Sequence, residues 1–146
     1  MAFDRQGTGL AVIRISVGIF FIVKGLIKYH WFIDSSILAA RLHEWLQASA
    51  TGSASRWYLE HLALPGLTVF TRLVPLGEIS CGLALLVGFW TPLFAFIAFL
   101  IALNYQLASG QLADFRFLTN SYGLSLLAST LGLALGGKRL PWSIRG

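Results

Sequence analysis

A carboxylate, Glu78, lies near the middle of the apolar stretch 67–90, six residues after Arg72. At the rise of a helix, Glu78 would be about 16 Å from either end of that stretch, in the hydrocarbon of a bilayer. An ionised group there costs roughly 3 kcal/mol or more unless it is paired or faces a polar cavity. We therefore take Glu78 as the candidate catalytic or binding residue.

Further polar side chains come from other apolar stretches at similar depth. Lys24, Arg72 and Asn104 each lie five residues from one end of their stretch, about 8 Å deep. With Tyr105, Asn120 and Tyr122 they form a predicted outer polar layer. Glu78 lies roughly 8 to 9 Å below this layer along the axis. All the long apolar stretches thus contribute to one polar region.

The partner of Glu78 is expected on a neighbouring helix. Six helical residues separate Arg72 from Glu78 by about 120°, so the two do not share a face. Lys24 and Arg14, both in the first apolar stretch, are the predicted partners. Three interpretations stay open for this network: a buried ion pair that fixes helix packing, a pocket for a headgroup or quinone, and a proton-accepting Glu78 beside such a pocket.

The composition requires an integral membrane protein. Hydrophobic residues make up 56% of the 146 residues, charged residues only 12%, and the mean hydropathy is +0.72. Stretches 10–29, 67–90, 92–109 and 117–135 each approach or exceed the roughly 20 residues that span a bilayer. We predict a single all-α membrane domain, a four-transmembrane-helix bundle.

The connections between these spans are short except for the first. Thr91 and Pro92 favour a helix start directly after the second span, which predicts a tight hairpin. The segment 30–65 is an outer loop in which 37–47 and 55–62 are predicted to form two short amphipathic helices. They would lie on the membrane surface or cap the bundle.

Basic residues at the chain ends indicate the orientation. Arg5, Lys138, Arg139 and Arg145 flank the terminal spans against Asp4 alone, whereas charges in the outer segments cancel. This favours both termini on the cytoplasmic side of a bacterial inner membrane. The formal charge of +5 is thereby explained without a nucleic-acid partner.

Small residues at helical spacing predict helix contacts, because helices in lipid pack by close backbone approach. The second span carries Gly77, Cys81, Ala84 and Gly88, and the first carries Gly18 and Gly25 on the same stripe as Arg14. We expect these faces to pack against other spans.

Metal and pigment sites have little support in the sequence. His30, His43 and His61 fall in the outer loop or at its edge, without a repeated ligand spacing. No metal site is predicted, and ligation of haem or chlorophyll by these histidines is disfavoured. Cys81 is the single cysteine, which excludes an internal disulfide.

Several short motifs resemble the DoxX family. They are 14–21 (RISVGIFF) with Gly25 and Lys28, Trp57-Tyr58, Gly77-Glu78 with 82–88 (GLALLVG), and Asn104-Tyr105. The pattern is similar to DoxX/DoxD-like proteins, some of which are membrane subunits of a thiosulfate:quinone oxidoreductase. The resemblance implies a four-helix membrane protein, often an accessory component of a redox assembly, with Glu78 matching a family carboxylate.

The first functional hypothesis is an accessory or assembly subunit of a larger respiratory or photosynthetic electron-transfer complex. Its partners would be the lipid bilayer and other membrane proteins or copies of itself. The alternative is a quinone-interacting subunit of a thiosulfate:quinone oxidoreductase-type enzyme, with quinone as its ligand. A small transporter or channel is a further alternative, although the sequence has no inverted repeats or paired broken helices.

Overall fold

The computed structural model describes residues 5–144, all of whose regular elements are helical. Asp4 and Arg145, which entered the charge count for orientation, lie outside the described residues. The elements are α1 (Arg5–Ile27), a 3₁₀ helix (Lys28–Phe32), α2 (Ser36–Ala48), α3 (Ala54–Tyr58), a π-helical turn (Leu59–Ala63), α4 (Leu67–Val87), α5 (Thr91–Ala108), a 3₁₀ turn (Gln111–Ala113), α6 (Arg116–Thr119) and α7 (Leu124–Gly136).

Three helical segments are long and apolar enough to cross a membrane. They are Arg5–Phe32, Leu67–Val87 and Thr91–Ala108. Large apolar side chains such as Leu26, Val69 and Leu73 remain more than half exposed on them, as expected for surfaces that face lipid tails. The prediction of an all-helical integral membrane protein is confirmed.

The predicted fourth span, 117–135, is not one continuous helix. Helix α6 ends at Thr119, and α7, with 13 residues, begins at Leu124 and extends only about 20 Å. The Asn120 side chain accepts a hydrogen bond from the Tyr122 backbone N–H at 2.9 Å, a local turn that competes with helix formation. A Cβ at Gly123 would lie 1.9 Å from the Phe117 carbonyl oxygen, so the turn also depends on glycine there.

Helices α1 and α4 pack with their backbones in close approach. A Cβ placed on Gly18 would lie 2.8 Å from the Leu86 backbone nitrogen, and one on Gly82 would lie 2.7 Å from that of Ile22. A Cβ on Gly25 would similarly meet the Pro75 carbonyl oxygen at 3.0 Å. Glycine at these positions lets the two helices approach each other closely.

The predicted small-residue stripe of α4 divides between two neighbours. Gly77 faces α5, where an added Cβ would lie 3.3 Å from the Ile101 side chain. Cys81 and Ala84 are buried within the bundle. Gly88 ends α4 with a positive φ of 73°, and its backbone N–H bonds to carbonyls of the last turn. The α4–α5 hairpin follows directly.

The long loop covers one end of the bundle, which we call the loop end. Leu38 and Leu42 of α2 are buried against Tyr58, Leu59 and Ala108. On the same helix, Arg41 and Glu44 are exposed and form an ion pair at 3.4 Å. The opposite end, where the first residues of α1 meet the segment after α7, we call the terminal end.

Candidate functional site

A cavity of about 450 Å³ lies at the loop end, between the helical bundle and α2. We call it the loop-end cavity. Its polar lining residues are Lys24, Lys28, His30, Arg41, Tyr58, Glu78, Asn104, Tyr105 and Tyr122. Its aromatic and aliphatic lining includes Trp31, Ile37, Leu38, Leu42, Trp45, Phe70, Val74 and Ile101. The cavity therefore joins an apolar wall to a cluster of charged and hydrogen-bonding groups.

Lys28, Glu78 and Tyr122 form a hydrogen-bonded cluster at this cavity. The Glu78 side chain is fully buried, and its Oε1 accepts from the Lys28 ammonium and, at 2.7 Å, from the Tyr122 hydroxyl. Lys28 Nζ also donates to the Tyr122 hydroxyl oxygen at 2.8 Å. The cluster joins the 3₁₀ helix after α1, α4 and the segment before α7. Glu78 Oε2 is buried without a hydrogen-bond partner among the described residues.

The predicted partners of Glu78, Lys24 and Arg14, are not the ones observed. Lys28 lies one helical turn beyond Lys24 and on the same side of the chain's first helix. Lys28 lies at the end of the first apolar stretch, 10–29, and its Cα is therefore shallower than that of Lys24 or Glu78. A lysine carries its charge on a flexible four-carbon stem, so the ammonium of Lys28 reaches the Glu78 carboxylate from a shallower backbone position.

Lys24 lines the cavity beside the cluster. Its Nζ lies 5.3 Å from the ring centroid of Tyr122 and 5.4 Å from that of Phe20. It also donates a long hydrogen bond, 3.4 Å, to the Ser121 hydroxyl. Aromatic faces thus stabilise this cation where no carboxylate contacts it within the described chain.

Helix α5 contributes the Asn104 amide and the Tyr105 ring to the cavity. The Tyr58 hydroxyl donates to Asn104 Oδ1, and burial raises the pKa of Tyr58, which keeps that hydroxyl protonated. Tyr105 stacks on Tyr122 with ring centroids 4.4 Å apart, and Trp45 packs edge-on against Tyr105 at 5.3 Å. Two loop helices therefore contribute directly to the site.

Sequence reasoning missed the contribution of the loop. Tyr58, Trp31, Trp45 and Arg41 all line the cavity, whereas the sequence predicts only that the loop helices lie on the membrane surface or cap the bundle. A signal was present for Tyr58, which belongs to the Trp57-Tyr58 motif of the family resemblance. For the others, only the folding of α2 over the bundle brings them to the site.

Arg72 and Asn120 belong to the predicted polar layer but do not line the cavity. Arg72 is exposed on α4 and makes no hydrogen bond or ion pair within residues 5–144. Asn120 instead exchanges hydrogen bonds with Gln106, at 2.7 and 3.1 Å, and donates to Gln111 at 2.7 Å. That network fixes the connection between α5 and α7.

Arg14 lies near the terminal end, fourteen residues and about 21 Å along the chain's first helix from Lys28. Its side chain is fully buried. It donates to the Ser143 hydroxyl and, at 2.8 Å, to the Trp142 carbonyl. A Cβ on Gly88 would lie 2.0 Å from Arg14 Nη1, so this glycine makes room for the guanidinium. Arg14 therefore holds the C-terminal segment and has no contact with Glu78.

The histidines do not assemble into a metal site. No group of three His, Cys, Asp or Glu side chains able to hold a metal occurs among the residues described. His61 stacks on Trp57 and hydrogen-bonds to its carbonyl at 2.9 Å, whereas His30 packs on the Tyr29 ring and borders the cavity. His43 is exposed on α2.

The charges around the cavity are unbalanced. Lys24, Lys28 and Arg41 contribute three positive charges, and Glu78 contributes one negative charge, a net charge of +2 with His30 neutral. Such a lining suits a ligand that has an apolar body and a headgroup of hydrogen-bond acceptors or negative charge.

Comparison with known proteins gives a single type of match. A family model described as DoxX matches residues 9–109. The matched range includes Lys28, Glu78, Asn104 and the helices of the loop, and it ends before Tyr122. No significant match to a curated protein or to a solved structure was found.

Proposed function

The chain belongs to the DoxX family, and from this premise we propose that it is a subunit of a larger membrane redox complex that holds a quinone in the loop-end cavity. The cavity itself is the observation that carries the proposal. Its volume of about 450 Å³ lies within the range of roughly 300–1,000 Å³ that is usual for small-molecule sites.

The lining supports a flat, ring-shaped headgroup. Tyr105, Trp31 and Trp45 offer aromatic faces or edges against which a quinone ring can stack. Lys28 and Asn104 offer hydrogen-bond donors to its carbonyl oxygens. Apolar side chains of α4 and α5, Val74 and Ile101, border the same cavity and suit the start of an isoprenoid tail.

The Lys28–Glu78–Tyr122 cluster would set the electrostatics beside the headgroup. The Glu78 carboxylate neutralises Lys28, and the Tyr122 hydroxyl bridges both. This arrangement places a lysine ammonium and a phenol hydroxyl in the lining of the cavity. A quinone gains protons on reduction, so a polar cluster at this point fits the proposed ligand.

Direct binding tests the proposal. Duroquinone titrated into the detergent-purified protein is expected to bind at one site per chain, as measured by isothermal titration calorimetry. Tyr105→Leu keeps an apolar side chain but removes the ring, and it should weaken binding about 2- to 10-fold. Phe115→Leu is the matched control, since Phe115 is 75% exposed and outside the cavity lining. Absence of duroquinone binding by the unmodified protein would contradict the proposal.

A second candidate, a purely structural accessory subunit, is favoured by the burial of Glu78. The cluster ties three parts of the bundle together, as a packing lock would. In that case duroquinone would bind neither the wild-type protein nor the double variant Lys28→Met/Glu78→Gln. The double variant would still purify with its membrane partners in mild detergent. Purification as a monomer without a partner would count against both versions of the subunit role.

A further inference from the structure

The hydrogen-bond donors at the loop-end cavity are incompletely used. Asn104 Oδ1 accepts from Tyr58, while no hydrogen bond within residues 5–144 engages the two protons of its Nδ2. Lys28 Nζ carries three protons and donates two of them, to Glu78 and Tyr122. The indole N–H groups of Trp31 and Trp45 make no hydrogen bond in the described chain either. The lining therefore includes several residues whose hydrogen-bond donors are unpaired within the described chain.

Acceptors in the same cavity are few. Glu78 belongs to the lining, but its side chain is 0% exposed. Its Oε1 accepts from Lys28 and Tyr122, and its Oε2 is a buried acceptor without a partner among residues 5–144. Asn104 Oδ1 is occupied, and the Ala108 carbonyl accepts from the buried Ser55 hydroxyl at 3.1 Å. The Tyr58 and Tyr122 hydroxyls already donate their protons to Asn104 and Glu78, so their oxygens could only accept, and both residues are buried, at 8% and 3% exposed. The Tyr105 hydroxyl can donate or accept. The net charge of +2 adds to the preference for acceptors.

From this imbalance we infer that the cavity binds the oxidised, dicarbonyl form of a quinone more tightly than the hydroquinone. The inference rests on the proposed function and adds the redox state that the site selects. Carbonyl oxygens only accept hydrogen bonds, which Asn104 Nδ2 and Lys28 Nζ can supply. The hydroxyl protons of a hydroquinone need acceptors, and a donor left without one in a buried site weakens binding.

The preference has a measurable redox consequence. We expect the oxidised form to bind at least about tenfold more tightly, a difference of about 1.4 kcal/mol. Because the oxidised form is the one stabilised, the midpoint potential of the bound two-electron couple falls by about 30 mV for each tenfold difference. The site would thus hold a quinone ready to be reduced and would release the product more readily.

The first test compares the two redox forms on the unmodified protein. Duroquinone and duroquinol, the latter kept reduced under anaerobic conditions, are titrated separately by calorimetry in the same detergent. A tenfold or larger preference for duroquinone supports the inference. Equal affinities, or tighter binding of duroquinol, would overturn it and leave the proposed function standing. Absence of binding by both forms would remove the proposed function together with the inference.

The second test exchanges the donor for an acceptor. Asn104→Asp keeps an oxygen for the Tyr58 hydroxyl and replaces the Nδ2 protons by a carboxylate oxygen, ionised at pH 8. We expect this variant to bind duroquinone more weakly and duroquinol more tightly than the wild type. The ratio of duroquinone affinity to duroquinol affinity should be at least fivefold smaller than in the wild type. Gln47→Glu, an equivalent change at an exposed position of α2 outside the cavity, should leave the ratio unchanged. If the affinity ratio of Asn104→Asp equals that of the wild type, Asn104 is not the donor and the inference is overturned. A wild-type preference for duroquinol would also overturn it, because the Asn104 amide oxygen would then face the ligand.

Discussion

Replacing Lys28 by Met would leave the most buried carboxylate of the described chain without its cation. The Glu78 side chain is 0% exposed and that of Lys28 is 13% exposed, so solvent does little to screen the pair. Removing one partner of a buried ion pair costs about 3–5 kcal/mol, because the remaining charge is uncompensated. We therefore expect Lys28→Met to destabilise the bundle by that amount.

The reciprocal change should cost less. In Glu78→Gln, the Tyr122 hydroxyl can still donate to the amide oxygen, and Lys28 keeps its bond to Tyr122 and its partial exposure. The expected loss is about 1–3 kcal/mol, that of one disrupted hydrogen-bond set. The double variant Lys28→Met/Glu78→Gln removes both charges and should return to within about 2 kcal/mol of the wild type, since neutral replacements of buried pairs are often tolerated.

The free energy of unfolding is measured for the wild type, the two single variants and the double variant. Each protein is unfolded reversibly in mixed detergent micelles, and circular dichroism follows the loss of helix as the fraction of denaturing detergent rises. Arg72→Met is the matched control, because Arg72 is an exposed cation of α4, and surface substitutions usually change stability by less than about 0.5 kcal/mol. A Lys28→Met protein as stable as the Arg72→Met protein, or a double variant less stable than both single variants, would refute the reasoning.

Three further outcomes are expected. Gly18→Val should destabilise the bundle by about 1–3 kcal/mol in the same assay, because its Cβ would clash with the α4 backbone, whereas Gly132→Val meets no atom within 4 Å and should be tolerated. Arg14→Gln should free the C-terminal segment, seen as faster trypsin cleavage at the basic pair after α7. The side-chain hydrogen bond from Arg116 lowers the pKa of Asp114, so Arg116→Gln should raise that pKa in a carboxyl NMR titration. The stabilisation by this pair exists above the ordinary carboxyl pKa and is lost as pH falls through the depressed value.

The membrane-spanning helices could be predicted because their signal is the sum of many residues. A long run of apolar side chains outweighs any single exception, so the first three spans agree with the structure to within a few residues at most ends. The break in 117–135 depends instead on two residues: Asn120, whose side chain accepts a hydrogen bond from the backbone two residues later, and Gly123, where a Cβ would clash. Average hydropathy does not register such a local competition.

The site was only partly predictable from the sequence. The spacing of residues gives the depth of each side chain in its span, but it does not give the direction in which each helix face points within the bundle. Lys24, Glu78, Asn104, Tyr105 and Tyr122 all reach the cavity, whereas other residues assigned to the same layer do not. Which side of α4 faces inward is decided by its contact with α1 through the glycines, and small residues occur on more than one side of that helix. Folding of α2 over the bundle adds a wall that no spacing within the spans reveals.

Two cations of the first helical segment, the fully buried Arg14 and the 13% exposed Lys28, have different surroundings, and this difference supports the loop end as the proposed quinone site. Arg14 and Lys28 are fourteen residues apart, about 40° in helical rotation, so they share a side of the segment. Arg14 is held by a hydroxyl and a backbone carbonyl, groups whose charge state is fixed. Lys28 is held by a carboxylate and a phenol beside a cavity. Substitution of Arg14 should therefore change stability without changing the ratio of quinone to hydroquinone affinity, whereas changes at the loop end should alter that ratio.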